Sequence, residues 1–425
     1  MNILIISYEP WCDTNNGGNV LSGIFDSFSG ADFAQIYCSP GFPDNSVCNK
    51  YFQLTDTMLI KKRGKAFVTD NAEKGSAPQD TEWLKERTSN TLFREFFLLG
   101  REFLWKLFPW KTKELEEFIT GFSPDIIFAP CYSFAHMSYI ALYAQQLTGK
   151  PIVSYISDDN YSLRKISFSP SFWINKLITR KAIRSLMSEC ELIYTMTSAQ
   201  KREYEAIFNK PFRILCKSAD FNEVHPNELH DPIRFIYGGA LYLKRWKPLG
   251  EIGLALDEIN REKPVAVLDI YTGTKLSKRM IKALGKSRGV RVNPAVSYDR
   301  LVDEYKASDI AVHVESFDKK NFLMTRLSFS TKIIDCMKSG CAVLAIGPKG
   351  QAGIDYLEEN NAAVCVRSRK DISKAVKRLA SDTTLIREYA GRAIELGKKS
   401  HGKAENTRMI KNDFENITKG QIQIK

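Results

Sequence analysis

Residues 310–346 read IAVHVESFDKKNFLMTRLSFSTKIIDCMKSGCAVLAI. Ile310–Val314 is a short β-branched run of the kind buried on both faces of a parallel sheet. It leads into His313, Val314, Glu315, Ser316, Phe317 and Asp318, and a loop with Arg326 follows. Ser328, Phe329, Ser330, Thr331 and Lys332 then open a helical pattern whose face carries Asp335. Ser339 and Gly340 close it as a helix C-cap, and Ala342–Ile346 is a second apolar run. Strand, loop, helix and strand in this order specify a parallel α/β unit. The spacing places Ser330 and Thr331 at a helix N-terminus, where hydroxyls and free N–H groups can meet a phosphate. Lys332 adds a cation, and Asp335, about one turn on, can accept hydrogen bonds from ribose hydroxyls. The alternative is a plain capping motif with a solvated lysine.

The pattern extends in both directions. Strands are expected over 233–237, 266–271, 290–293 and 363–366, with helical stretches between them. After the first of these come Gly238, Gly239, Ala240 and Leu241, then Lys244, Arg245, Trp246 and Lys247, then a helical run to Ile259. Glycine lets backbone approach an anion, and a helix N-terminus favours negative charge. Surface cations beside a glycine turn are the plainer reading. An earlier α/β series has apolar runs at 3–7, 126–129, 152–156, 193–196 and 212–217. The polar stretch 218–232 between the series reads as a linker. The expected division is a first domain over 1–217, the linker, a second domain over 233–400, and a closing helix over 401–425 that packs back on the first domain.

Within the first series, Asn15 to Gly18 reads as a glycine-rich loop between strand 3–7 and a helix over 20–28. Residues 55–92, with Lys61, Lys62, Arg63 and Lys65 and few large apolar side chains, read as a long loop or insert. Asp158 and Asp159 follow strand 152–156, at the end of a sheet where α/β proteins bind ligands. Capping of a loop by aspartate is the alternative there.

Composition narrows the classes. A chain of 425 residues suits two cores. A net charge of +12 favours anionic partners without choosing among them. The nine cysteines contain no Cys-x-x-Cys pair, so neither a disulfide framework nor a structural zinc is expected. There is no Asp-x-Asp triplet, and His136, His225, His230, His313 and His401 show no ligand spacing; no metal site is expected. The first residues, MNILIISY, lack a basic leader and no 18-residue apolar run follows, which points to the cytoplasm. Residues 93–108, FREFFLLGREFLWKLF, mix aromatic and basic side chains. They read either as core packing or as an amphipathic helix on an anionic membrane.

On these residues the chain resembles the retaining GT-B glycosyltransferases of the family-4 type, glycosyl transferases group 1, over nearly its whole length. Asp335-Cys336-Met337-Lys338-Ser339-Gly340 is similar to that family's second acidic residue and the helix end behind it. Glu315 is similar to the first acidic residue, which the resemblance places at the donor sugar. Arg245, in LKRWKPL, corresponds to the loop cation, and Lys332 to the phosphate-side cation of a subgroup carrying Ser-Thr-Lys. Gly17 and Gly18 match the glycine-rich loop that faces the donor phosphates. Asp158 stands where the family often has His-Asp. The stretch 385–406 looks like the family's closing helices. Nineteen residues separate Glu315 from Asp335, more than in the usual pair of glutamates. The usual Gly-Arg pairing is here Gly239-Ala240, which moves the cation role to Arg245 or Lys247.

The resemblance implies two facing Rossmann-like domains with parallel sheets and a cleft between them. It implies transfer of a sugar from a UDP- or GDP-linked donor to a glycan or lipid-linked acceptor, in surface polysaccharide assembly. Configuration is retained, no metal or other cofactor takes part, and the enzyme sits in the cytoplasm or at the inner membrane face. Gly17, Gly18, Gly239, Arg245, Ser330, Thr331, Lys332 and Asp335 would hold the donor, with Asp158 and Glu315 at the reacting centre. A dehydrogenase is disfavoured because no G-x-G-x-x-G follows strand 3–7. A sugar-nucleotide epimerase on the same fold stays open, as does a nucleic-acid binder, although no nucleic-acid-binding motif is present.

Overall fold

Parallel strands organise the chain in two separate sheets. The computed structural model describes residues 1–13, 16–61, 64–68 and 91–421, without the side chains of 16–19 and 91–92. It divides into two units, Met1–Leu215 with Lys403–Lys425, and Cys216–Gly402.

The sheet of the first unit runs β4-β3-β2-β1-β5-β6-β7-β8. Its strands are β1 (Asn2–Ser7), β2 (Asp32–Tyr37), β3 (Lys50–Gln53), β4 (Lys65–Val68), β5 (Ile126–Pro130), β6 (Ile152–Ile156), β7 (Cys190–Thr195) and β8 (Phe212–Ile214). Only the β3–β4 pair is antiparallel. Ile3, Leu4, Ile5, Ile127 and Phe128 are fully buried, as central strands covered on both faces require.

Three of these strands escape the sequence reading. In β2 the apolar run is broken by Gln35, which is nevertheless fully buried. Its amide donates to Ser7 Oγ at 2.6 Å and to the Glu9 carbonyl at 3.1 Å, and accepts from the Trp11 N–H at 3.0 Å. A buried amide is stable there because its polar atoms are bonded. The expected loop over 55–92 is corrected in part. Thr55 caps a short helix, Asp56–Ile60, and β4 closes the sheet edge. Lys62, Arg63 and residues 69–90 lie outside the described residues. The expected loop at Gly17 and Gly18 is also corrected. The helix after β1 spans Asn16–Phe25, so both glycines sit in its first turn.

The second unit has the order β11-β10-β9-β12-β13-β14, all parallel. Its strands are β9 (Ile233–Gly238), β10 (Ala266–Thr272), β11 (Val290–Pro294), β12 (Ile310–Val314), β13 (Ala342–Ile346) and β14 (Val364–Val366). Succession runs outward from β9 to β11, then restarts on the other side of β9 with β12. The carboxyl ends of β9 and β12 therefore flank a topological switch point, where open α/β sheets bind ligands.

The stretch 218–232, expected as a linker, is stitched to this unit. Asn227 Nδ2 donates to the carbonyls of Ser308 (2.9 Å), Ser339 (3.1 Å) and Tyr305 (3.2 Å). Its two N–H bonds are shared among the three acceptors, tying the stretch to this unit. No described helix is long and apolar enough to cross a membrane. No disulfide joins the nine cysteines, and all but Cys365 are buried.

The closing helix, Lys403–Thr418, belongs to the first unit. Phe414 packs on Phe25, Phe28 and Phe128 with ring centroids 6.0–6.3 Å apart. Beside it, the buried Asp413 accepts from Tyr194 Oη at 2.7 Å and pairs with Arg213. Asp413→Ala strands a buried hydroxyl, while Arg213 keeps access to water. We expect a loss of about 2 kcal/mol, read as a lower urea midpoint for the transition of the first unit, with the second unit's transition unmoved.

Candidate functional site

Two short loops leave the sheet at the switch point, one after β9 and one after β12. The first begins with Gly239, whose N–H donates to the Tyr271 carbonyl at 2.9 Å. A Cβ on Gly239 would fall 1.8 Å from Lys332 Nζ and 2.9 Å from its Cε. Only glycine lets the lysine pass this close to the backbone. The loop then carries Leu243 and Lys244 at φ of 58° and 63°. Two successive non-glycine residues in the left-handed region store strain, which occurs where surrounding contacts dictate the shape. Those contacts are visible: Asn321 Nδ2 donates to the Leu243 carbonyl at 2.9 Å, and Lys244 Nζ meets Asp318 at 2.5 Å. The loop ends on Arg245, directly before the helix Trp246–Ile259.

The second loop starts at Glu315. Its N–H donates to the Ile346 carbonyl at 2.8 Å, which continues the β12–β13 ladder by one residue. The carboxylate is therefore fixed at the strand end and buried. Arg245 Nη2 donates to both of its oxygens, at 2.9 and 3.0 Å. Burial raises the Glu315 carboxyl above the usual range, while Arg245 and then Lys332 pull it back. His313, one alternation earlier on β12, is buried with Nε2 3.8 Å from Glu315. Burial, Arg245 and Lys332 lower its imidazole to about 3, so it stands neutral at physiological pH. Gly347 completes the wall, since a Cβ there would come 3.1 Å from Glu315 Cβ.

Lys332 opens the helix Lys332–Lys338. Its ammonium lies 5.7 Å from the centre of the Tyr237 ring and forms neither a hydrogen bond nor an ion pair with any described residue. Burial first, then the charge of Arg245, lowers its pKa below the usual lysine value. Arg245 Nε is likewise buried without a partner among the described residues. Two cations thus face one carboxylate, and a desolvated positive charge is left over. Such a charge is costly unless an anion joins it. Tyr237, Gly238, Arg245, His313, Ser330 and Lys332 line a cavity of about 40 Å³.

The structure therefore brings Gly239, Arg245, Glu315, Ser330 and Lys332 together. Of the nineteen residues between Glu315 and Asp335, seven form the helix Lys319–Thr325. Thr331 precedes the Lys332 helix, and its hydroxyl makes no capping bond. Asp335 is engaged by Lys217 Nζ at 3.2 Å and by Tyr298 Oη at 3.5 Å. Lys247 is exposed outside the cavity, over the Trp246 ring. In the first unit, Asp158 is exposed after β6. Its neighbour Asp159 is buried and caps the loop, accepting from Ser162 N (2.9 Å) and Tyr204 Oη (2.7 Å). Gly17 and Gly18 belong to this unit too, in a helix.

Four residues were missed: Lys217, Tyr298, Tyr305 and Gly347. Tyr305 lines the cavity, and a Cβ on Gly238 would touch its hydroxyl at 3.1 Å. None stands in a motif; each reaches the site through tertiary structure alone. For Gly347, its place directly after a buried strand was the available signal.

Residues 255–410 match the family described as glycosyl transferase-like, so the second unit carries a glycosyltransferase-type enzyme domain. No curated relative matches the sequence. The solved structures agree in fold. TarM is 12% identical with a TM-score of 0.54; the match covers 71% of this chain and 57% of TarM, so this chain spans little over half of that protein. Sucrose-phosphate synthase from Thermosynechococcus elongatus is 11% identical with a TM-score of 0.62, over 99% of both chains. Anabaena Alr3699/HepE, solved in complex with UDP and glucose, is 13% identical with a TM-score of 0.60, over 98% of this chain and all of its own. The chain has the GT-B fold: two α/β units, each built on a mostly parallel sheet.

Proposed function

We propose that the chain transfers a sugar from a UDP- or GDP-linked donor to a hydroxyl of a glycan or lipid-linked acceptor. Transfer proceeds in the cytoplasm, with retention of configuration and without a metal ion. The observation that carries this reading is the half-buried Lys332 ammonium, left without a partner beside Arg245 at the switch point of the second sheet. A diphosphate is the anion that two cations on separate loops fit. The solved neighbour that holds UDP and glucose supports the same donor class.

The proposed reaction divides its work among these residues. Gly239 admits the Lys332 side chain. Arg245 and Lys332 take the charge that builds on the diphosphate as the glycosidic C1–O bond breaks. Ser330 and Thr331 offer hydroxyls to the same oxygens. Asp335, steered by Lys217, accepts from the ribose. Glu315, one residue past β12, contacts the sugar hydroxyls. Gly17 and Gly18 add N–H groups of a first helical turn, which have no intrahelical acceptor. Asp158 contacts the acceptor hydroxyl or the transferring sugar. In a same-face attack the acceptor oxygen bonds to C1, the bonding pair leaves with the phosphate, and a phosphate oxygen takes the acceptor's proton. No covalent protein nucleophile is needed. Surface polysaccharide assembly is the setting we favour, and a lipid-linked acceptor would bring the chain to the inner membrane face.

Three outcomes test the reading. Arg245→Ala and Lys332→Ala each lower turnover on the order of a hundred- to a thousandfold, with the folded state retained by circular dichroism; wild-type turnover in both removes the diphosphate site. Activity persists in EDTA, and the product's anomeric configuration, read by NMR, equals that of the donor; loss in EDTA that zinc or magnesium restores would overturn the metal-free mechanism. The donor KM rises at alkaline pH earlier than an ordinary lysine would dictate. The sign follows from the lowered Lys332 pKa: the ammonium loses its proton, and its hold on phosphate, at a lower pH. Lys332→Arg shifts that limb to higher pH.

A further inference from the structure

An amphipathic helix normally turns its apolar face to the core. The helix Thr91–Leu107 buries Trp105 in the core with Leu104 against it, yet turns a second apolar set outward. Phe93, Phe96, Phe97, Phe103 and Leu107 recur at helical spacing on one side and are exposed, Phe96 by 66% and Leu107 by 76%. The inward side is held by polar contacts. Trp105 stacks on His136 at 4.1 Å and donates its indole N–H to Asp56 at 2.7 Å. Arg101 meets the same carboxylate at 3.1 Å, and buried Glu102 accepts from Ala135 N at 3.2 Å. The orientation is therefore fixed, and a row of phenylalanines is presented outward by design of the inner face.

The neighbouring helix, Pro170–Glu189, packs against it and adds exposed Ile174 and Leu177. Phe168, immediately before that helix, is 98% exposed. A contiguous set of exposed aromatic side chains marks an interaction site. Charge selects the partner. Arg94 and Lys106 are exposed on the first helix, and Lys181 and Arg184 on the second, whose only acidic residue is Glu189. A second copy of the same surface would set cations against cations. An anionic lipid surface accepts both features, phenylalanine in the acyl boundary and lysine or arginine at the headgroups.

We infer that the outward face of these two helices docks the chain on an anionic membrane. This deepens the proposed function and rests on it for one point, that a lipid-linked acceptor lies on that membrane. Vesicle binding is read without turnover, so either claim can fail alone.

The test is co-sedimentation of the full chain with vesicles of phosphatidylcholine, alone or mixed with phosphatidylglycerol. Binding is expected only to the mixed vesicles and weakens as salt is raised. The charge-reversal pair Lys106→Glu and Lys181→Glu weakens it by about tenfold or more. Phe96→Ser with Phe103→Ser lowers it to a similar extent, at unchanged circular dichroism and unchanged turnover on a soluble acceptor. Equal binding to neutral vesicles, or binding indifferent to both pairs, overturns the inference. So does a concentration-dependent dimer of the wild-type chain that the phenylalanine pair abolishes, since a second copy would then cover the face.

Discussion

The second unit is arranged around a charge imbalance. Arg245 and Lys332 approach one carboxylate, Glu315, at a cavity where partial burial makes their charges costly. A neutral histidine at the third corner keeps the imbalance from growing, because burial and the two cations deny His313 its proton. Every neighbouring detail serves to hold these charges in place. Gly239 clears the path of the lysine, the β12–β13 ladder pins the glutamate, and the loop after β9 delivers the arginine. An ion pair of two partners would be satisfied and inert; the odd cation makes the site receptive.

Much of this was legible in the sequence because it follows chain order. The apolar runs that became β9 to β14 announce themselves; Glu315 directly follows one, and Arg245 and Lys332 stand where the next helices begin. In an α/β sheet those junctions converge without further instruction. Less legible were features that depend on partners distant in the chain. Gln35 breaks the β2 pattern, and only Ser7, Glu9 and Trp11 explain why an amide belongs there. Asn227 looks like linker composition until its three carbonyl acceptors are known. Lys217 and Tyr298 gain meaning only from Asp335. The long spacing between Glu315 and Asp335 is a departure, and a seven-residue helix occupies part of it.

The first unit shows the reverse problem. The aromatic stretch after residue 92 has the composition of either a core helix or a surface helix, and composition cannot choose. The choice is made by Asp56, His136 and the Ala135 N–H, which hold Arg101, Glu102 and Trp105 inward. Likewise two adjacent aspartates looked equivalent after β6. Tyr204 and Ser162 take Asp159 into the core and leave Asp158 outside.

The twisted backbone at Leu243 and Lys244 has a consequence for discrimination between ligands. Holding L-residues in that region costs about 1 kcal/mol or more each, so the segment has one shape rather than a range of shapes. Its terminal guanidinium is thus set at a nearly constant reach from the lysine across the gap. A receptor built this way measures length: it rewards a guest whose two negative groups match that span and neglects one that merely carries the same total charge.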